Sequence, residues 1–479
     1  MTHDVDVLVV GAGVSGIGAA YRLQTECPDH SYAVLEGRDA VGGTWDLFRY
    51  PGVRSDSDVY TFCYPFRPWD GEQTLADGES IRRYLEQVAA ENGIDRQIRF
   101  GTRVRHAAWS SATGRWTVTA ERGGLVETWS CRFLYACSGY YDYTGGYTPH
   151  FPGAADFTGE VVHPQSWPEG LTTRGRRVVV IGSGATAMTL VPALARDGAH
   201  VTMLQRTPTW VVSQRQNDPL TQRIKRRLPP KLAHRLIRAR HLAITQGFYQ
   251  LTRRRPDLAR SYLSKPVVGR MGAAYAAEHF TPSYDPWDQR LCVIPDSDLL
   301  KAVVRGEVEV VTDRIDRLVP DGIRLASGRV LAADLIVTAT GLVMKLLSGF
   351  DLEVDGVPVV LPERAVYRGL MLDGVPNFAV AIGYVNASWT LRADLSSRYV
   401  CRYLRYLDRH ALAFGHPVRP PGLEEKPVMP LSSGYVQRAA NLPVQGSTDP
   451  WTVPQNYLLD TLRMRRARIG ADMAFEVAP

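Results

Sequence analysis

Val5-Asp-Val-Leu-Val-Val-Gly-Ala-Gly-Val-Ser-Gly16 and, far downstream, Arg177-Val-Val-Val-Ile-Gly-Ser-Gly-Ala-Thr-Ala187 decide the fold. In the first stretch the apolar run 5–10 predicts a fully buried parallel strand, and Gly16-Ile-Gly-Ala-Ala-Tyr-Arg-Leu23 predicts an amphipathic helix. The order is strand, tight turn, helix, the context that gives a glycine hexapeptide meaning. Gly11 permits the sharp turn, Gly13 lets the backbone approach a pyrophosphate, and Gly16 lets the helix pack on the strand. The helix start, at Ser15 and Gly16, offers amide donors and the positive end of a dipole to phosphates. A second strand, Tyr32-Ala-Val-Leu-Glu36, ends in an acid 25 residues beyond Gly11, so Glu36 is placed to accept from a ribose hydroxyl.

The second stretch repeats this layout with Gly182, Ser183, Gly184, Ala185 and Thr186 in the turn, followed by a helix through Leu194 and the strand His200-Val-Thr-Met-Leu204. Where the first unit ends in Glu36, the second has Gln205-Arg206-Thr207. A cation and a hydroxyl suit a 2′-phosphate that a carboxylate would repel. Glu36 against Arg206 and Thr207 therefore assigns FAD to the first cradle and NADPH to the second. A merely solvated Arg206 is the competing reading. The fold class that follows is α/β, with two Rossmann-like dinucleotide-binding domains and a helical insertion.

The expected FAD-binding domain spans 1–145 and 345–479, and the NADP-binding domain 155–213 and 285–344. Phe133-Leu-Tyr-Ala-Cys-Ser-Gly139 and Asp334-Leu-Ile-Val-Thr-Ala-Thr-Gly341 both read as strands ending in small residues beside a dinucleotide. Residues 144–168, rich in Gly and Pro, form the linker. Residues 214–284 turn basic and irregular, with helices expected over 223–240 and 273–279, and this insertion is expected to shape a substrate pocket. Strands are expected at 308–311 and 323–331, a return to the first domain through 375–383, and a helix beginning near Asp394 whose N-terminus would face the flavin.

At 479 residues and 45% apolar, the chain suits two or three globular domains. No run approaches a membrane span, and the N-terminus enters the first strand directly, so a cytoplasmic protein is expected. Six scattered cysteines without a CxxC pair argue against metal clusters and a dithiol reductase, and no metal is expected. The net charge of +7 gathers in basic runs such as 223–227, 253–255 and 463–468. These are read as solvated faces, with peripheral membrane association as the alternative; no nucleic-acid motif accompanies them.

Phe157, Gly159, His163, Trp167 and Pro168 then match the fingerprint FxGxxxHxxxW(P/D), and Gly42-Gly-Thr-Trp45 a GGTW block. With both cradles, these motifs give a chain that resembles the flavin-dependent Baeyer-Villiger monooxygenases, relatives of the wider flavin-containing monooxygenases. Through 42–52, Arg54-Ser-Asp-Ser-Asp58, Tyr284-Asp-Pro-Trp-Asp-Gln-Arg-Leu-Cys292 and 383–391 it is most similar to the ethionamide-activating subgroup. The resemblance spans nearly the whole chain and thins over 215–275.

The resemblance implies catalytic roles for Arg290 and its partner Asp56, and coupling of domain motion to turnover at His163 and Trp167. It also carries flavin contacts at Gly43, Thr44, Trp45 and Asp46, with further ones at Asp56, Val104 and Asn386, and an NADP contact at Arg54. One departure stands out: where many members have lysine before the arginine, helping to hold the 2′-phosphate, this chain has Gln289. Trp45 reads as a flavin neighbour rather than core, whereas Trp287, Trp389 and Trp451 stay open between pocket and core.

The implied reaction uses NADPH, FAD and dioxygen, with Arg290 stabilising a C4a-peroxyflavin that inserts oxygen beside a ketone carbonyl to give an ester or lactone. Oxygenation of sulfur or nitrogen, including thioethers and thioamides, is the alternative; the Trp167-Pro168 ending and Arg290 argue against it as the sole activity. A flavin-binding protein without turnover is the remote third. The substrate and the oligomeric state are not legible.

Overall fold

The computed structural model describes residues 2–477, so the outermost bounds of the expected first domain, Met1 and Pro479, lie outside the described residues. The strand Thr2–Val10 lies parallel to Tyr32–Leu35, with Val7 opposite Tyr32, and to the long strand Leu125–Ala136. Val7, Leu8 and Val9 are wholly buried, as a parallel strand covered on both faces requires. An antiparallel ribbon, Thr102–Ser110 and Arg115–Arg122, continues this nine-stranded sheet. Downstream chain returns to it twice. Asp351–Val354 pairs with the ribbon, and Phe378–Val380 runs parallel to the end of Leu125–Ala136.

A second sheet holds five parallel strands in the order Val308–Thr312, His200–Gln205, Arg177–Ile181, Leu335–Thr338, Glu160–Val162. Adding strands on both sides of Arg177–Ile181 is doubly wound topology, which opens a crevice at the strands' carboxyl ends. The expected strand over 323–331 is instead a hairpin of Gly322–Leu325 and Val330–Ala332. Ala326-Ser-Gly-Arg329 makes the turn, with Gly328 at φ 87°.

The insertion leaves after Val211–Gln214 and rejoins at Cys292–Pro295, two strands that pair with each other. Between them run the helices Pro219–Arg227, Pro230–Arg254, Pro256–Met271 and Ala273–Phe280. Pro230 and Pro256 sit in first turns, where a missing N–H costs nothing, and Pro256 also ends the helix before it.

The helix expected near Asp394 begins five residues earlier, at Trp389, with Ser388 at its N-cap. Ser388 is of a type favoured at the N-cap, although among the described residues its side chain makes no capping bond. Asp394 lies inside the helix and pairs with Arg22 at 2.7 Å and with Arg398.

Candidate functional site

Both cradles open into one cavity of about 1480 Å³ between the two sheets. Each begins where a strand passes into a helix through glycine. Gly11, at φ 103°, lies so close to the strand end at Cys137 that a Cβ would sit 2.8 Å from its carbonyl oxygen. Gly182, at φ 137°, stands in the same relation to Ala339, 2.2 Å from its carbonyl oxygen. These are the two strands whose small residues were expected beside the cofactors. Gly16 does not line the cavity; a Cβ there would fall 1.8 Å from the Gly11 carbonyl oxygen, so it serves packing.

The helices Val14–Glu26 and Ala185–Arg196 have Gly13 and Gly184 as N-caps, and neither makes a side-chain capping bond. Their first-turn amides are thus left for a ligand at the positive end of the helix dipole. Space above Gly184 is open for 4 Å, and the buried Ser138 hydroxyl, on the cavity wall, has no partner. This donor set fits two dinucleotides.

Glu36 is buried at the rim, its Oε2 accepting from Ala12 N at 2.6 Å and its Oε1 from Arg38 N at 2.9 Å. Burial pushes its carboxyl above the usual range, against those two amides. Gly43, Thr44, Trp45 and Val104 line the same region, Trp45 also meeting Phe62 edge-on. Ser15 Oγ accepts from Trp389 Nε1 at 2.9 Å, tying the cradle to the start of the helix Trp389–Arg409.

Two further expected contacts, besides Gly16, are not on the wall. Asp46 is buried but turned away, paired with Arg38 at 2.6 Å and Arg49 at 2.5 Å. Asn386 is buried behind the wall, its Nδ2 donating to Gln455 O at 2.8 Å, while its neighbour Ala387 reaches the cavity. Of the tryptophans left open, Trp389 lines the cavity, Trp451 fills the core, and Trp287 packs with Trp210 and Leu263 under the insertion.

Arg290 and Asp56, 234 residues apart, meet in this cavity as a bidentate pair, Nε to Oδ2 and Nη2 to Oδ1, both at 2.9 Å. The Asp56 charge holds the Arg290 guanidinium above its already high ordinary value. Around them stand phenols that the sequence reading missed: Tyr140, Tyr141 and Tyr435. Tyr140 and Tyr141 share a hydroxyl contact of 2.9 Å, and burial pushes the Tyr141 and Tyr435 phenols well above their ordinary value. The run Tyr140-Tyr-Asp-Tyr143, directly after the strand glycine Gly139, was the available signal for two of them. Nothing local marked Tyr435.

On the second cradle, Ser183, Ala185, Thr186, Arg206 and Thr207 line the cavity, and Ser183 Oγ donates to Thr207 O at 2.9 Å. Gln289 lines it as well, as does Arg314. Arg206 follows the end of one strand and Arg314 lies two residues past the end of its neighbour, where Gln205 pairs with Thr312; Asp313, between Thr312 and Arg314, lines the cavity too.

Arg54 belongs to the first domain's chain yet is fixed on the second. Pro192 has no N–H to give the Met188 carbonyl four residues back in its helix; Arg54 Nη2 donates to that oxygen at 3.2 Å instead. Its Nη1 pairs with Asp298 at 2.9 Å. His163 accepts at Nδ1 from Gln165 N at 3.1 Å, which leaves the proton on Nε2, 3.2 Å from Gly341 O. Burial lowers its pKa, favouring the neutral ring. Trp167 packs against the core of the five-stranded sheet.

Two uncapped helix ends, one beside a buried acid and one beside free arginines, define a two-dinucleotide oxidoreductase whose cofactors meet near an arginine. Comparison with known proteins agrees. The family model for flavin-binding monooxygenase-like proteins matches residues 5–239. The FAD-containing monooxygenase EthA of Mycobacterium tuberculosis is 49% identical over 473 residues, 98% of this chain and 97% of that protein. EthA of Mycolicibacterium smegmatis is 48% identical over 470 residues, 97% of this chain and 95% of that protein. The fold is that of an oxidized steroid monooxygenase bound to NADP, with a TM-score of 0.78 at 23% identity over 99% of this chain and 100% of that one. It is also that of closed cyclohexanone monooxygenase, with a TM-score of 0.77 at 20% identity over 100% of both chains. The chain belongs to the flavin-binding monooxygenases. It is an FAD-containing, NADPH-dependent enzyme that inserts oxygen into a substrate.

Proposed function

We propose that this monooxygenase delivers its oxygen atom mainly to a soft sulfur, as in a thioether or thioamide. When bound, the nicotinamide supplies a hydride and the flavin the electrons that activate dioxygen; one oxygen atom goes to the substrate and the other leaves as water. The uncapped amides of the two cradles hold the pyrophosphates, Glu36 the FAD ribose, and Arg206 with Thr207 the 2′-phosphate. Arg54, reaching from the first half of the chain to Met188 and Asp298, keeps the halves in register, while His163 ties together the segments that follow two neighbouring strands of the five-stranded sheet.

The observation that carries the sulfur reading is the closed bidentate pair of Arg290 and Asp56. A guanidinium alone would draw the proton off a neighbouring peroxidic oxygen by favouring its anion. One whose charge is already met by a carboxylate does so weakly. Tyr141 and Tyr435, kept protonated by burial, add uncharged O–H donors on the same wall. An activated oxygen that keeps its proton is electrophilic and is attacked by the sulfur lone pair, whereas one that has lost it is nucleophilic and adds to a carbonyl carbon. The near-full-length identity to EthA and the resemblance to ethionamide-activating enzymes support the same choice.

A second reading, ketone oxidation to an ester or lactone, is favoured by the permanence of the Arg290 charge, which would act fully whenever Asp56 swings aside. Purified enzyme given NADPH and equal concentrations of thioanisole and phenylacetone at neutral pH separates the two. Sulfoxide in excess is expected; ester in excess would overturn the sulfur assignment.

A further inference from the structure

We propose that the outward face of the helical insertion docks on an anionic lipid surface. The insertion's helices carry more large apolar side chains than their buried faces use: Ala233, Ile237 and Leu242 are turned inward, and others outward. On Pro230–Arg254 the buried residues include His241, Gln246 and Thr252, while Leu232, Leu236, Ile244 and Leu251 are turned outward, Ile244 54% exposed. The next helix buries Ala259, Leu263 and Val267 and still leaves Leu258 59% and Tyr262 62% exposed one turn apart. Scattered exposed leucines need no explanation, but a concentration on one unit of the fold, matched by buried polar groups, does.

Charge points to the occupant. Residues 214–284 carry 15 Lys and Arg against three Asp and Glu, a net +12, whereas the whole chain is +7; the other 408 residues are therefore net −5. Only Arg240, Arg253 and Arg260 of these cations pair with a carboxylate among the described residues. Lys231, Arg235, Arg254 and Arg255 are exposed and flank the outward leucines. Apolar side chains rimmed by free cations match the boundary between acyl chains and anionic headgroups. Among the described residues no helix is long and apolar enough to cross a membrane, so the contact is one of surface attachment.

The inner face of the same helices rests on the catalytic segments. His241 lies 3.4 Å from Asp58, two residues past Asp56, and Tyr249 meets Trp287 edge-on, three residues before Arg290. An apolar substrate dissolved in lipid would thus reach the enzyme beside its cavity.

The test is flotation of the FAD-loaded enzyme with vesicles of phosphatidylglycerol and phosphatidylcholine, and with phosphatidylcholine alone. Binding to the anionic vesicles is expected at least tenfold above the neutral ones, falling as salt rises. The variant carrying Leu236→Glu, Ile244→Glu and Leu251→Glu should keep its flavin absorbance and lose binding at least tenfold. Absence of anionic-vesicle binding, or binding unchanged in this variant, would overturn the proposal. So would tighter binding to a DNA oligonucleotide, or a dimer in solution that the variant dissociates, since each would give the face another occupant.

Discussion

Arg206 and Arg314 both line the cavity past the ends of neighbouring strands, neither in an ion pair with a carboxylate among the described residues, and two such cations suit a 2′-phosphate better than one. On the proposed reading Arg314 would supply the second cation that Gln289 does not. A hydrogen bond to a charged group is worth about 1.5 to 3 kcal/mol, roughly 10- to 100-fold in affinity. Arg206→Ala should raise the Michaelis constant for NADPH by that order and leave NADH nearly unchanged, and Arg314→Ala should act in the same direction with a smaller effect. Steady-state kinetics with both coenzymes checks this; equal changes for NADPH and NADH would refute the assignment. His163 makes a second prediction at this scale. Because burial depresses its pKa below the ordinary 6.5, the unfolded chain takes up the proton first. The stability linked to a neutral His163 is whole above that value and is lost as pH falls from it through the folded-state value. The melting temperature should therefore drop less in His163→Gln than in the wild type between about pH 7.5 and 5.5. An equal drop in both would show that the imidazole proton is not linked to folding.

Elements explain why some of this was legible and some was not. Strand, turn and helix are local, so both cradles, the small-residue strands behind them and the basic helical insertion could be read from spacing alone. Asp46 follows the GGTW glycines and reads as a flavin neighbour, yet the short helix Thr44–Leu47 turns it toward Arg38 and Arg49. Orientation on one helical turn is decided by tertiary partners that spacing does not encode. The start of the helix Trp389–Arg409 was missed although Ser388, a residue type favoured at the N-cap, stands directly before it. Two glycines test how much the cradle depends on close packing. Gly16→Ala puts a Cβ against the Gly11 carbonyl and should cost about 3 kcal/mol or more, with loss of bound flavin. Gly247→Ala, in the interior of Pro230–Arg254 with nothing within 4 Å of its Cβ, should gain about 1 kcal/mol. Thermal unfolding monitored by flavin fluorescence reads both, and a Gly16→Ala protein with unchanged stability would contradict the packing role.

For the molecule as a whole, the site is a product of assembly. Asp56 lies in the first half of the chain and Arg290 past the insertion, while Tyr435 comes from the C-terminal segment. The pairing of Asp56 with Arg290 was available only through family resemblance, and the phenols around it only through the fold. In the closed pair the arginine's charge is met by Asp56 before it reaches the oxygen. Removing the compensation without removing volume is therefore the most direct test. Asp56→Asn keeps the shape and leaves the guanidinium unmatched, which favours the anionic oxygen and the attack on carbonyls. With thioanisole and phenylacetone in competition, the variant should shift the ester-to-sulfoxide ratio upward by roughly tenfold, about 1.4 kcal/mol in relative barrier height. A ratio unchanged from the wild type, or shifted further toward sulfoxide, would contradict the claim that Asp56 sets the choice of sulfur over ketone.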